Sequence, residues 1–332
     1  LVPDHRNEPA QHLRSILSAG LEASDPAAAV GRFLSAGGEG VSVLDPEAGS
    51  VSFEPDRVFV LAAGKAAGPM AGAAVGILGG RVSGGLVVTK DGHEAPDAAE
   101  EAGLEMLFAA HPEPDGRGVE AASRAAGMAE SLGEGDLLLC LISGGASALL
   151  ADPAPPVELE DLDELTGALL RSGATINEIN TVRKHVSTLK GGGLARLAAP
   201  AGVVSLLLSD VVGDDPSAIA SGPTVPDPTT LYDARAVLDR YGIRPPGSVA
   251  SLLASASETP KAGDEETFER VTNVVCGGGR SSVERAASRA EELGYGPLLI
   301  STSISGDARC VASLYGALIR ESLESGNPAA PP

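Results

Sequence analysis

The chain has 332 residues, 43% of them hydrophobic and only 3% aromatic, with 42 Gly and no Trp. That length and apolar share exclude a disordered tail or a coiled-coil rod and leave room for two domains. Asp and Glu outnumber Lys and Arg by 45 to 24, a formal net charge of −21, and a field of that sign repels nucleic acid and anionic membrane.

Five residues are Lys, at positions 65, 90, 184, 190 and 261. An acid-rich, lysine-poor surface suits a salt-rich, halophilic cytoplasm, where salt screens the self-repulsion; a GC-rich genome that replaces Lys by Arg gives the same shortage. The cysteines, Cys140, Cys276 and Cys310, are odd in number and in no metal pattern, which fits a reducing compartment. No apolar run reaches the ~18 residues of a membrane span and no signal-peptide pattern opens the chain, so the expected location is cytoplasmic. The start at Leu1 and the ending SGNPAAPP suggest a chain cut from something longer, the Pro-rich end reading as a linker.

In chain order, residues 10–36 predict an amphipathic helix, with polar capping residues near Ser24 and Asp25. VFVLAAGKAAGPMAGAAVGIL (58–78) then predicts strand, glycine turn and helix. Further strands are predicted at 85–89, 105–109, 136–142 and 203–208, alternating with helices at 117–132, 159–171 and 176–190. In the last of these Ile176, Ile179, Val182, Val186 and Leu189 recur at helical spacing. Alternation of this kind predicts an α/β fold, a Rossmann-like parallel sheet with helices on both faces. A helix at 230–241 precedes residues 243–270, whose Pro, Ser and charge predict a linker. Beyond it, strand 272–275, helix 280–293, strand 297–302 and helix 308–323 predict the incomplete start of a second, smaller α/β domain. The expected domains are therefore 1–242 and 271–332.

In open α/β sheets ligands bind beyond the carboxyl ends of the strands, and four segments there are unusual. In AAGKAAG (62–68), Gly64 and Lys65 stand where a strand meets a helix N-terminus, a place that attracts phosphate or carboxylate. Phe59 and Ala66 rule out a Walker A loop; a tight turn with a solvated lysine is the plainer reading. In LISGGASALL (141–150), Gly144 and Gly145 let backbone N–H groups face one anion, with Ser143 and Ser147 adding hydroxyls. An ordinary βα turn explains that segment equally well.

In NEINTVRKHVSTLKGGGLA (177–195), Asn180, Arg183, Lys184, Ser187 and Lys190 oppose the apolar stripe. A cationic face on so acidic a chain asks for an anion, although Lys190 also reads as a lysine near a helix C-terminus before a glycine stop. In LLLSDVVGDDPSAIASGPTVPDPTT (206–230), a buried strand delivers Ser209 and Asp210 to the sheet edge, followed by Asp214 and Asp215. Carboxylates beside a phosphate site hold Mg²⁺ or take the proton from an attacking hydroxyl, a role best placed at Asp210; Asp214 and Asp215 read equally as turn formers or caps. His111, in FAAHPEP, reads as a structural hydrogen-bonder. GGGR (277–280) is only a fragment of a dinucleotide fingerprint, with no acidic residue ending the next predicted strand.

Taken together, VFVLAAGKAAGPM, FAAHPEPDGRG, LISGGASALL, NTVRKHVSTLKGGGLA and LLLSDVVGDDPSAIASGPTVPDPTT resemble, in order and spacing, the N-terminal domain of class II glycerate kinases. ISGDARCVASLYGALI (304–319) resembles a later stretch of that family, with Asp307 where Glu is more usual. The resemblance implies a Rossmann-like first domain and phosphorylation of D-glycerate by ATP with Mg²⁺, 2-phosphoglycerate being the favoured product. It places Lys65 on the transferring phosphate, and an arginine of the family's C-terminal MOFRL domain, which the sequence does not reach, as its assistant. The expected site is then Lys65 with Gly64, Ser143, Gly144, Gly145 and Ser147 around phosphates, and Arg183 or Lys184 on the glycerate carboxylate, with Lys190 nearby. Asp210 stands at the attacking hydroxyl or, with Asp214, at Mg²⁺. The expected partners are D-glycerate and nucleotide, with a homodimer or a separate C-terminal chain as further possibilities. Two other readings stand beside it: an NAD(P)H-dependent hydroxypyruvate reductase, and a non-catalytic binding module.

Overall fold

The computed structural model describes residues 8–38, 40–93 and 97–327. It divides into two compact units: residues 26–210 with 215–276, and residues 1–25 with 211–214 and 277–332.

The larger unit opens with a helix (Pro26–Phe33) and a three-stranded antiparallel meander, β1 (Leu34–Gly37), β2 (Gly40–Asp45) and β3 (Gly49–Phe53). Six further strands follow: β4 (Arg57–Ala63), β5 (Val82–Lys90), β6 (Leu104–Ala109), β7 (Asp136–Ser143), β8 (Gly202–Leu208) and β9 (Val271–Gly277). They form one sheet in the order β6-β5-β4-β7-β8-β9. Pairing from β6 through β8 is parallel, so the α/β class expected from the alternation is the one observed.

β7 lies at the centre and every residue of DLLLCLIS is buried, as a parallel strand covered on both faces requires. Arg57 closes its amino end, donating twice to the Asp136 carboxylate (2.8 and 2.6 Å). One face of the sheet packs on the helix Ala67–Leu78, whose Ala67, Gly68, Ala71 and Ala74 are small enough to let the helix approach closely. A second apolar cluster joins the helices Leu159–Ser172, Ile176–Lys184, Leu231–Arg240 and Gly247–Ser255 through Leu165, Leu169, Val182, Ala234 and Val249.

Several elements differ from the sequence reading. The helix expected over 10–36 is two, Glu8–Ala23 and Pro26–Phe33, because Pro26 lacks an amide hydrogen and begins a new helix instead of continuing the old one. The helix expected over 176–190 ends at Lys184. Its apolar spacing continues past that point, but Asp152 captures the chain: its carboxylate accepts from the Leu189 amide (2.6 Å), from the Ser187 hydroxyl and from Lys190 Nζ, bending 185–192 into turns. Residues 243–270 are not a bare linker, since they contain the helices Gly247–Ser255 and Glu265–Phe268 and belong to the larger unit. β9, expected to open a second domain, is the outer strand of the main sheet, with Val203 donating to the Arg270 carbonyl (2.9 Å).

The smaller unit packs the helix Glu8–Ala23 against Gly279–Glu292, with Arg289 donating to Ser15 Oγ (2.8 Å) and His12 bonded to the Tyr295 hydroxyl (2.9 Å). The strand expected at 297–302 does not form: these residues have no regular structure, and Leu298, Leu299 and Ile300 stand exposed with no strand pairing to fix them. The helix Ala308–Ser325, capped by Asp307, has no buried residue. Among the described residues no helix is long and apolar enough to cross a membrane.

The Asp152–Lys190 pair carries a testable consequence. Both side chains are almost fully buried, and Lys190 also donates to the Leu150 carbonyl (3.1 Å). Burial pushes its ammonium down to about 7. Removing one member of a buried pair leaves the other uncompensated, at a cost of about 3–5 kcal/mol, whereas replacing both by apolar groups costs far less. Urea unfolding is expected to show Lys190→Met losing about that much stability and the double change Lys190→Met with Asp152→Leu recovering most of it.

Candidate functional site

The ends of β4 and β7 run into adjacent turns, and the sequence lets them come unusually close. Gly64 has φ +124°, and a Cβ there would overlap Ser143, so only glycine fits. The Lys65 amide donates to the Gly144 carbonyl (2.9 Å), the Ala66 amide to Ser143 Oγ (3.0 Å), and the Gly64 amide to the Val88 carbonyl of β5 (3.0 Å). The two turns are thus one hydrogen-bonded unit at the carboxyl edge of the sheet, where ligands of such sheets bind.

Lys65 extends from this unit, half-exposed, with Nζ 3.6 Å from Asp210 Oδ2. Asp210 follows β8 and lays its carboxylate over Gly144; a Cβ at 144 would occupy the carboxylate's place. Glycine is needed at that position for close approach and not for an unusual φ. His111, at the end of β6, leans on Gly145: a Cβ at 145 would lie 3.0 Å from its ring. Burial first, then the charges of Lys65 and Lys90, hold His111 below the ordinary histidine range, with Asp210 opposing them, so the ring is neutral at pH 7. His93 Nδ1 donates to the Lys65 carbonyl (2.7 Å), fixing the lysine's backbone from the other side. Sequence reasoning passed over His93, whose role depends on a contact 28 residues away.

The remaining expected residues divide sharply. Ser143 commits its hydroxyl to the Ala66 amide and the Ala63 carbonyl, so it braces the turns and is not a free anion donor. Ser147 is also engaged. Ser221 donates to Asn180 Oδ1 (3.1 Å), so its own oxygen accepts the Ser147 proton (3.1 Å). Ser221 is held there by left-handed backbone at Ala220 (φ +51°) and Ser221 (φ +61°), conformations disfavoured for residues with a side chain.

Lys184 is buried and bonded to Asp227 (3.2 Å), which also accepts from Thr229 and Thr259; like Lys190, it is an internal tie and not a ligand group. Asp214 falls in the smaller unit, its carboxylate against Gly278, whereas Asp210 belongs to the larger one. Among the described residues no cluster of three or more His, Cys, Asp or Glu side chains is arranged to hold a metal. Cys140 and Cys276 are buried, their thiols pushed up to about 12 by burial. Neither is a nucleophile at neutral pH.

Arg183 is the exception among the cations of its helix. Its guanidinium donates to the Ser147 carbonyl (3.2 Å), its Nε is sealed from solvent without a partner, and it makes no ion pair among the described residues. Burial lowers its pKa, yet an arginine stays charged at any physiological pH. It lines a cavity of about 270 Å³ that also reaches His111, Gly145 and Ser147. A wider hollow of about 850 Å³ lies at the opposite, amino end of β4 and β7, among Glu54, Glu134, Asp136 and Glu269. Its acidic lining makes it the wrong end for an anion.

Lys65, Asp210, His111, Arg183 and the glycine turns therefore form a cationic, partly desolvated edge with one carboxylate at its centre, an arrangement suited to anionic substrates and a hydroxyl that must lose a proton.

The family model described as "Domain of unknown function (DUF4147)" matches residues 12–254. A D-glycerate 2-kinase of Thermotoga maritima is 41% identical over 268 residues, 80% of this chain and 61% of that protein. An Agrobacterium vitis protein carrying a hydroxypyruvate reductase name is 42% identical over 296 residues, 88% of this chain and 66% of that protein. The crystal structure of a Thermotoga maritima glycerate kinase superposes with a TM-score of 0.80 at 37% identity, covering 98% of this chain and 72% of that one. The chain spans about half to two thirds of the length of these and other curated relatives. With the sheet, the paired turns and these likenesses in agreement, the chain belongs to the class II glycerate kinase family.

Proposed function

We propose that this chain carries the phosphoryl-transfer site of an ATP-dependent glycerate kinase and that the acceptor is the 2-hydroxyl of D-glycerate. The observation that carries this reading is the Lys65–Asp210 pair, a cation and a carboxylate 3.6 Å apart over a glycine turn at the carboxyl edge of the sheet. The likeness to a D-glycerate 2-kinase supports the substrate and the position phosphorylated.

Phosphoryl transfer asks a protein for positioning and charge neutralisation more than for covalent help. Lys65 neutralises charge on the transferring phosphoryl group. The Gly144–Gly145 turn has no side chains to keep that group at a distance. Asp210 accepts the proton of the attacking hydroxyl, its carboxylate lying beside Lys65 Nζ until the hydroxyl arrives. Neutral His111 borders the same space without adding a charge. With Lys184 tied to Asp227, Arg183 is the cation of its helix left to receive an anion. Mg²⁺ in kinases is held by one or two carboxylates plus phosphate oxygens. Asp210 has the chemistry to hold it, while Asp214 belongs to the smaller unit; the ion would supply further neutralisation of phosphate charge. The cytoplasm is the proposed location, consistent with free cysteines throughout. The reductase reading rests on the name of a relative, while GGGR lacks the rest of a dinucleotide fingerprint and no strand follows it among the described residues to carry a ribose ligand.

The direct test incubates the purified chain with ATP, Mg²⁺ and D-glycerate and follows the products by ³¹P NMR. 2-Phosphoglycerate is the expected product; turnover of hydroxypyruvate with NADH and none of glycerate with ATP would overturn the proposal. Lys65→Ala is expected to lower kcat by about 10²–10³-fold, the usual cost of removing one transition-state charge partner. Gly144→Ala should displace the Asp210 carboxylate and lower kcat by about 10²-fold. Because Asp210 is more than half exposed and free to swing outward, thermal unfolding of that variant should shift little.

A further inference from the structure

The cavity beside Arg183 is built for something other than glycerate. Its walls come from Pro112, Ala148, Leu162, Leu170, Ile176 and Ile179, mostly hydrocarbon surface. Every carbon of glycerate bears oxygen, so burying that molecule against such walls would strip its hydroxyls of water without returning hydrogen bonds. The cavity holds about 270 Å³, just below the range of about 300–1,000 Å³ for sites that enclose drug-sized ligands.

Its polar groups stand at particular places on the lining. Gly145 and His111 connect it to the turn that carries Lys65 and Asp210. Arg183, without an acidic partner among the described residues, contributes a cation beside Ser147. Asp163 and Thr166, one helical turn apart on the helix Leu159–Ser172, add a carboxylate and a hydroxyl. The ligand that matches is a flat apolar body with an edge N–H donor at one end and a chain of anions at the other.

We propose that this cavity is the nucleoside pocket of the site: it encloses the adenine ring of ATP between its proline, leucine and isoleucine walls, with Asp163 accepting from the exocyclic amino group and Arg183 on the polyphosphate that leads to Lys65. Neighbouring Glu113 and Glu160 add to the negative field around Asp163, which favours an N–H donor there over a carbonyl. Arg183 thereby serves the nucleotide instead of the glycerate carboxylate. The assignment rests on the kinase reading above and adds to it where the nucleotide lies.

Isothermal titration calorimetry of the whole chain with AMP-PNP and Mg²⁺, and separately with D-glycerate, tests it. Thr166→Trp fills the cavity and is expected to weaken AMP-PNP by about tenfold or more, about 1.4 kcal/mol, while leaving D-glycerate unchanged. Asp163→Asn preserves shape on an exposed position and supplies an amide donor. It is expected to shift the preference from adenosine toward inosine triphosphate, read as the ratio of the two dissociation constants, with an unchanged thermal melt as the folding control. Unaltered AMP-PNP affinity in Thr166→Trp together with weakened D-glycerate would overturn the proposal and return the cavity to the acid. Saturable AMP-PNP binding with neither variant altering affinity or base preference would also overturn it while leaving the kinase reading intact. No saturable nucleotide binding by the wild-type chain would overturn both.

Discussion

The contact on which the site depends is the close approach of two strand ends. β4 and β7 are paired in register along their whole length, from Arg57↔Asp136 to Ala63↔Ile142, so their turns leave the sheet side by side. Gly64 allows that approach, and the amides of Lys65 and Ala66 then bond to Gly144 and Ser143. A lysine from one βα unit and a glycine turn from the next become one object. The third unit, ending β8, places Asp210 over the same turn. If β4 and β7 slipped by one residue, the alternation of faces would also move every buried Leu of β7 to the opposite side. The packing that fixes the core therefore also fixes the Lys65 turn against the Gly144 turn.

The same logic sorts the cations. Lys184 and Lys190 lie on or just after one helix and are spaced much as Arg183 and Lys184 are in a helix-face diagram. In the fold, however, each meets a buried aspartate, Asp227 and Asp152. A buried ammonium without a carboxylate would shed its proton; a guanidinium does not, which is why an unpaired position near solvent-poor ground can be held by arginine and not by lysine. Two lysines are engaged in holding the turns at 185–192 and 227–230, whereas Arg183 makes no ion pair among the described residues and Lys65 stays half-exposed.

How much of this was legible in the chain follows from where each contact originates. The strands read correctly because their signal is local: DLLLCLI is apolar at every position, and a strand buried on both faces needs nothing else. The helix Ile176–Lys184 was overextended because its stopping point is set by Asp152, a residue 32 positions upstream of Lys184 whose carboxylate outcompetes helix continuation. β1–β3 are not signalled by the pattern, and 297–302 reads as a strand although no strand among the described residues pairs with it. Gly64, Lys65, Gly144 and Asp210 were visible as residues following strands. The engagement of Ser143 and Ser147 was not, since it depends on Ala66 and on the strained Ala220–Ser221 backbone, both brought in by tertiary structure.

The acidity of the chain gives the placement of these groups its physical reason. A net charge of −21 repels glycerate and nucleotide alike at long range, and near physiological salt that repulsion fades over roughly 8 Å. Attraction must then come from cations at contact distance in ground where water screens poorly. Lys65 is half-exposed beside Asp210, whose negative charge partly cancels it until a hydroxyl or phosphate separates the two. Arg183 has no such partner among the described residues and stands against apolar walls, so its field is the stronger of the two on an incoming anion. The acidic surface and the cationic edge are complementary: salt that screens the first over long distances leaves the second largely intact, because a partly buried charge is screened far less than an exposed one.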